Sequence, residues 1–389
     1  MKLSFVTPRY GVEVLGGAEQ AARQLAEKVV AQLGWSVEAF SSCALEASTW
    51  ADHFEPGTTT INGVTVHRFA SKGRSADFDA VSDRVLAVPS AASRADEDEW
   101  FRAQGPVSDE QIDAIVASDA DVIAFYPYLY YPTVVGLPKV AERAIMHPAA
   151  HDEPPLFLPV FQTVFGAARG LVFHTEEEQR LVNGLFPVAH QPQVVLGLGA
   201  DTHAGDANDA RNALALGDAP YLLYVGRVDD GKGTRTLVEF FAAYRARHPE
   251  SPLRLVLAGP IVHEPPRHPD VILAGPVDEA TKWGLMRGTS LFVNPSAYES
   301  FSIVLIEAWN AGVPVLVNGR CHVTREHVER SGGGLAFDSF ATFEAAVEAL
   351  VGRPDRQAAL AQAGARYVDA FYAWPTIIER YATFLSQVL

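Results

Sequence analysis

The sequence predicts an α/β chain of two Rossmann-like domains, each built on a mostly parallel sheet. Three observations carry this. The chain has 389 residues, too many for one ordinary core, and 48% are apolar, enough for two. Its strand-like runs, such as residues 3–6, 121–125, 221–225, 290–295 and 313–317, are short and continuous in apolar residues rather than alternating, the pattern of strands buried on both faces. Between them come glycine-rich loops and segments whose apolar residues recur at helical spacing, the rhythm of strand, loop, helix, strand.

In the N-terminal half, residues 3–6 form a first strand that ends at Pro8. A loop carrying Gly16-Gly17-Ala18-Glu19 then enters a helix marked by Ala22, Leu25, Ala26, Val29 and Val30. Strand, glycine-rich loop and helix together can cradle a phosphate, although a glycine pair by itself reads first as a plain tight turn. The G-x-G-x-x-G dinucleotide fingerprint and the P-loop lysine motif are both absent. Further strands are expected at 37–40 and 64–69. Residues 71–110 are polar and acidic and read as a surface excursion with some helix. The strand at 121–125 leads into Tyr126-Pro127-Tyr128-Leu129-Tyr130-Tyr131, an aromatic cluster suited first to packing and second to a sugar-binding wall. His147 follows a strand-like run and precedes Pro148, placing it where a strand end faces a cleft. Pro148, Pro154 and Pro155 deny the helix that would align His147, His151, Asp152 and Glu153 around a metal. A strand at 170–173 precedes a helix capped by Thr175, where Glu176, Glu177 and Glu178 suit the helix dipole.

Residues 197–218, rich in Gly, Ala, Asp and Asn, read as an interdomain connection. The strand at 221–225 is followed by Gly226-Arg227-Val228-Asp229-Asp230-Gly231-Lys232-Gly233 and a helix near Thr234. An arginine fork, a lysine point charge and helix-end amides on such a loop suit a diphosphate. Two more strands, at 253–258 and 271–275, end in Gly-Pro loops. Between the runs at 290–295 and 313–317 lies Tyr298-Glu299-Ser300-Phe301-Ser302-Ile303-Val304-Leu305-Ile306-Glu307, whose helix ends at Gly312 and Pro314. Glu299 belongs to a loop at the carboxyl end of a strand, where open α/β sheets bind ligands. Glu307 is expected roughly 10 Å further along. Two acceptor-only carboxylates at that separation suit a polyol, and paired glutamates at a helix start also serve as ordinary caps.

The order Gly16-Gly17-Ala18-Glu19, His147, Arg227-x4-Lys232-Gly233 and Glu299-x7-Glu307 resembles the motif set of family-4 retaining glycosyltransferases, group 1, of the GT-B fold. The resemblance spans essentially the whole chain. It departs at Ser300 and Ser302, where members often carry glycine. It implies an N-terminal acceptor domain over 1–199, a nucleotide-sugar domain over 200–370, and a C-terminal helix over 371–389 that crosses back to the first domain. It further implies transfer of a hexosyl group with retention, without a metal and without any cofactor beyond the nucleotide-diphosphate sugar, a UDP or GDP sugar foremost. His147 and Glu299 would hold the reacting sugar as the catalytic pair. Gly16, Gly17, Arg227, Lys232, Ser300, Phe301, Ser302, Ile303 and Glu307 would bind the donor, Glu307 through the ribose diol.

Charge and composition narrow the partners. The net charge of −16 argues against nucleic acid, which is bound by neutralising phosphates with Lys and Arg. Residues 1–200 hold 14 Lys+Arg against 25 Asp+Glu, an unfavourable balance for an anionic membrane and a reason to expect a soluble hydroxyl acceptor, a saccharide or small metabolite. The N-terminus is too polar for a signal peptide, and no apolar run approaches the roughly 20 residues of a membrane span, so a cytoplasmic protein without stable membrane insertion is expected. Cys43 and Cys321 fit neither a disulfide framework nor a zinc site. The competing readings are a lipid-linked glycan acceptor, an epimerase or phosphorylase on the same fold, and a non-enzymatic sugar-binding protein. Oligomeric state stays open.

Overall fold

The computed structural model describes residues 1–14 and 16–389; Leu15, in the loop before Gly16-Gly17, lies outside the described residues. The chain divides into two compact units, one of residues 1–198 with 374–389, the other of residues 199–373.

The first unit is built on eight strands: β1 (Lys2–Val6), β2 (Ser36–Ser42), β3 (Gly57–Ile61), β4 (Val64–Phe69), β5 (Val122–Phe125), β6 (Ala144–Met146), β7 (Gly170–Phe173) and β8 (Gln193–Val195). Their order is β3-β4-β2-β1-β5-β6-β7-β8, and every pair is parallel except β3–β4. That antiparallel hairpin turns at Asn62-Gly63, both at positive φ, a two-residue turn the sequence states openly. Sequence reasoning passes over β3 because its Thr58-Thr59-Thr60 run is exposed and lacks an apolar face.

One expectation needs correction here. Residues 71–110 are more than a surface excursion. Helices Phe78–Leu86 and Arg94–Gln104 drive Val81, Val85, Trp100 and Phe101 into the main core, and Glu97 is buried there, its carboxylate accepting the Val160 amide. The acidic run at 96–99 hides this because its apolar partners sit at the helix's end. The aromatic cluster after β5 packs inward, with Tyr126, Tyr128 and Tyr131 all buried.

Helix Trp374–Val388 belongs to this unit. It buries Ile377, Ile378, Tyr381, Phe384 and Leu385, and its Phe384 lies where a Cβ on Gly170 would come within 2.8 Å. Glycine at the start of β7 is therefore a packing requirement.

The second unit holds β9 (Tyr221–Val225), β10 (Arg254–Ala258), β11 (Val271–Gly275), β12 (Leu291–Asn294), β13 (Val315–Asn318) and β14 (Gly334–Phe337) in the order β11-β10-β9-β12-β13-β14, all parallel. Successive strands run outward from β9 on one side and from β12 on the other. The switch between them opens a crevice at the strands' carboxyl ends, where such sheets bind ligands. Residues 197–218, expected as a connection, are partly structural. Helix Ala207–Ala213 docks on helix Glu279–Gly288 so closely that a Cβ on Gly284 would meet the Asp206 carbonyl at 2.4 Å.

Candidate functional site

The switch-point loops of the second unit are drawn together by glycine. Gly233 closes the turn after β9 with φ of 74°, and a Cβ on it would fall 2.5 Å from the Pro295 carbonyl of the loop after β12. Only glycine allows that approach without strain. Asp229 builds the turn by accepting the Gly231 amide at 2.6 Å, and it also pairs with Arg227, Nε to Oδ2 at 2.9 Å. The Arg227 side chain is 56% exposed, so its remaining guanidinium donors are open to a ligand. Lys232, at the other end of the turn, reaches across to Glu299, Nζ to Oε1 at 3.0 Å. Two residues 67 positions apart in sequence are thus in direct contact.

The loop from Asn294 to Ser302 is held from within. Asn294 accepts the Ser296 amide at 3.0 Å and donates to the Ser302 hydroxyl at 2.8 Å. Ser302 sits in the left-handed region, φ 67°, immediately before helix Ile303–Asn310. This is the physical reason glycine suits the position, and the Asn294 bond gives serine a compensating anchor. Phe301 packs inward against His327 and Tyr372, with ring centroids 5.0 and 5.3 Å away, so it offers a ligand only its backbone. Ser300 and Ile303 stay partly accessible on either side of it. The helix starts at Ile303, so Glu307 stands at the end of its first turn, nearer the helix start than the sequence spacing suggests.

Glu307 is 5% exposed. Its Oε1 meets Lys282 Nζ at 3.0 Å, and Lys282 also meets Glu279 Oε2 at 2.9 Å. Glu307 Oε2 is buried with no hydrogen-bond partner. Burial pushes the Glu307 carboxyl above its ordinary value while Lys282 pulls it back. Burial likewise lowers Lys282, but Glu307 and Glu279 more than offset it and its ammonium is held above its ordinary value. The two directions oppose each other, and contacts of 3.0 and 2.9 Å favour the ionised pair. A cavity of about 380 Å³ opens beside the same turn, lined by Asp230, Gly231, Gly233, Tyr298, Asn318 and Arg320 among others, and not by Lys232 or Glu299.

The remaining expected residues lie in the first unit. Gly16 caps helix Gly17–Leu33, and a Cβ on it would meet Glu19 Oε2 at 2.4 Å and Arg9 Nη2 at 2.8 Å. Those two side chains form a buried ion pair at 2.6 Å, which fixes the end of the glycine-rich loop. His147, directly after β6, is buried. Its Nε2 lies 3.1 Å from the Tyr381 hydroxyl, and its ring stacks on Tyr126 with centroids 5.0 Å apart. Burial pushes the imidazole well below its ordinary value, so it is neutral.

Glu178 departs from the reading of its helix. Glu176 and Glu177 do face solvent at the helix start, but Glu178 is buried and its carboxylate accepts the amides of Ala150 at 2.8 Å and His174 at 2.7 Å. It therefore pins the segment that follows His147, where Ala149 carries a positive φ of 52°. No local sequence pattern marks this role or that of Lys282; Asp229 and Asn294 stand out only as parts of motifs.

Residues 219–353 match the model of the family described as glycosyl transferases group 1. Among curated proteins, the chain is 32% identical over 184 residues to a D-inositol 3-phosphate glycosyltransferase of Kribbella flavida, covering 42% of this chain and 43% of the relative. It is 25% identical over 312 residues to a GDP-mannose-dependent alpha-(1-6)-phosphatidylinositol monomannoside mannosyltransferase of Mycobacterium tuberculosis, covering 72% of this chain and 80% of that protein. The chain spans about half the length of the first curated relatives it matches. Among solved structures, sucrose-phosphate synthase of Thermosynechococcus elongatus superposes with a TM-score of 0.69 at 18% identity, covering 100% of this chain and 98% of that one. The second unit is thus similar over residues 219–353 to the glycosyl transferases group 1 family, and the chain shares the GT-B fold.

Proposed function

We propose that the protein is a retaining, metal-independent glycosyltransferase that moves a hexosyl group from a UDP or GDP sugar to a hydroxyl acceptor. The observation carrying this reading is the pairing of Lys232 with Glu299 beside the partly free Arg227, at the strand switch of the second unit. In the free protein each cation is matched by a carboxylate. A donor diphosphate would take Lys232 and Arg227, and the sugar hydroxyls would take Glu299, so one ligand can satisfy what the pair satisfies in its absence. Ser300, Ser302 and the amides at the start of helix Ile303–Asn310 supply donors to the phosphates, and Glu307 holds the ribose.

The step breaks the bond between the anomeric carbon and the diphosphate oxygen and forms one to the acceptor oxygen on the same face. The acceptor's proton passes to the departing diphosphate. Negative charge grows on that leaving group, and Arg227, Lys232 and the helix start stabilise it electrostatically. His147 and Glu299 are assigned to the reacting sugar. For His147 this requires exchange of its Tyr381 bond for a sugar hydroxyl. Gly16 and Gly17 are assigned to the donor diphosphate through their backbone.

The acceptor is assigned as a soluble polyol, supported by the acidic balance of residues 1–200 and by the named substrate of the Kribbella relative. The mycobacterial relative, whose name gives a lipid acceptor, favours a second reading. No helix among the described residues is long and apolar enough to cross a membrane, which leaves surface association untouched. Nucleotide release from a panel of UDP-, GDP- and dTDP-sugars tests the activity. Release stimulated by inositol phosphates or saccharides supports the first acceptor, and release stimulated only by phosphatidylinositol vesicles supports the second. A panel with no release above the protein-free rate refutes the transferase reading.

A further inference from the structure

Resting on the donor reading above, we infer that Lys282 is a positioning residue for the nucleotide's ribose: it holds Glu307 by one oxygen and so leaves the other, Oε2, as a fixed acceptor for a ribose hydroxyl. Three observations meet here. Lys282 Nζ contacts Glu307 Oε1 at 3.0 Å, which fixes the carboxylate's rotation as well as its charge. Glu307 Oε2 is buried and has no partner in the protein, an arrangement that costs free energy unless a ligand fills it. Lys282 is held in turn by Glu279, Nζ to Oε2 at 2.9 Å, a second anchor for its ammonium.

The charged groups facing Glu307 are Lys282 and Glu279 from helix Glu279–Gly288 and, from the chain before that unit's first strand, His203, whose Nε2 lies 4.0 Å from Glu279 Oε2. A carboxylate accepts a hydroxyl more strongly than a carboxylic acid does. Burial already drives Glu307 toward protonation, and Lys282 is the largest influence opposing it. Removing that ammonium should therefore convert a pH-independent acceptor into one that works only when alkaline pH ionises it. This chemistry recognises a ribose whatever the base, and it separates Lys282 from Lys232, which meets the diphosphate directly.

The test is calorimetric titration of UDP and of GDP into the full chain between pH 6.5 and 9. The proteins are the parent, Lys282→Met, Glu307→Gln and the double variant, each in a His203→Gln background so that the imidazole does not titrate. The expected result, read as the ratio to the parent at each pH because the nucleotide's own terminal phosphate titrates, is a loss of about tenfold or more for Lys282→Met at pH 6.5 that shrinks toward pH 9. The double variant, which leaves no buried charge unpaired, is expected to bind as Glu307→Gln does and no worse. Losses that add in the double variant, or a Lys282→Met deficit that does not change with pH, overturn the inference while a weakened Glu307→Gln leaves the donor reading intact. Unchanged binding by Glu307→Gln overturns both.

Discussion

Replacing Glu299 with glutamine should push two measurements in opposite directions. In the free protein Lys232 is engaged by Glu299 at 3.0 Å, with side chains 33% and 17% exposed. In vacuum-like terms such a contact is large, but at this exposure its net worth is about 1 kcal/mol. A diphosphate must displace Glu299 from Lys232 and sit near its negative charge. Glu299→Gln removes both costs, so UDP without a sugar should bind about three- to tenfold tighter. On the proposed reading, the same change weakens the acceptor assigned to the sugar hydroxyls. A charge-assisted bond of about 2–3 kcal/mol lost in the transition state lowers kcat/KM for the sugar donor roughly 30- to 150-fold. Lys232→Met is the control: it should weaken UDP roughly 10- to 150-fold. Calorimetry for UDP and a coupled assay for nucleotide release read the two effects. If Glu299→Gln weakened UDP as Lys232→Met does, or left turnover intact, the pairing would have no bearing on the donor.

Other outcomes follow from burial. Glu178→Gln places an amide NH₂ against a backbone N–H that now meets a carboxylate oxygen, and it should cost about 2–4 kcal/mol in chemical denaturation, with His147's segment losing protection in hydrogen exchange; a change under about 0.5 kcal/mol would show that the 147–151 segment does not depend on it. His327 is buried among Phe301, Trp309 and Tyr367, and burial pushes its imidazole down to about 4. The folded chain therefore binds fewer protons there than the unfolded one, so the stability this neutral ring permits is full above about pH 6.5 and falls as pH drops toward 4. His327→Phe should gain roughly 2 kcal/mol on the parent between pH 7 and pH 5, read from urea midpoints; equal losses in both would contradict the neutral, buried state. Ser302→Ala keeps the left-handed backbone but strands the Asn294 amide, and should cost about 1–3 kcal/mol, whereas a neutral result would show that Asn294 does not anchor the loop.

How much the sequence told depends on what each residue answers to. Strands such as β9 and β12 were legible because continuous apolar runs have few alternatives. The Arg227, Lys232 and Glu299 positions were legible because they follow such strands directly, and structure adds that two of them touch. Trp100 and Phe101 were hidden by the acidic residues beside them, of which Asp98 and Glu99 face solvent while Glu97 is buried on their own face. Lys282 and Glu178 were hidden for another reason. Each acts on a segment far away in sequence, Glu307 and Ala150, and no local pattern marks a residue by a distant partner. Ser302 shows the converse: its departure from glycine was visible, but the left-handed backbone that gives it meaning was not.

The most direct test of the account is calorimetric titration of UDP and GDP into the parent and into Arg227→Ala/Lys232→Met. Saturable binding of at least one nucleotide to the parent is expected, with a loss of a hundredfold or more in the double variant. Equal affinity in the two proteins, with both folded, would contradict it.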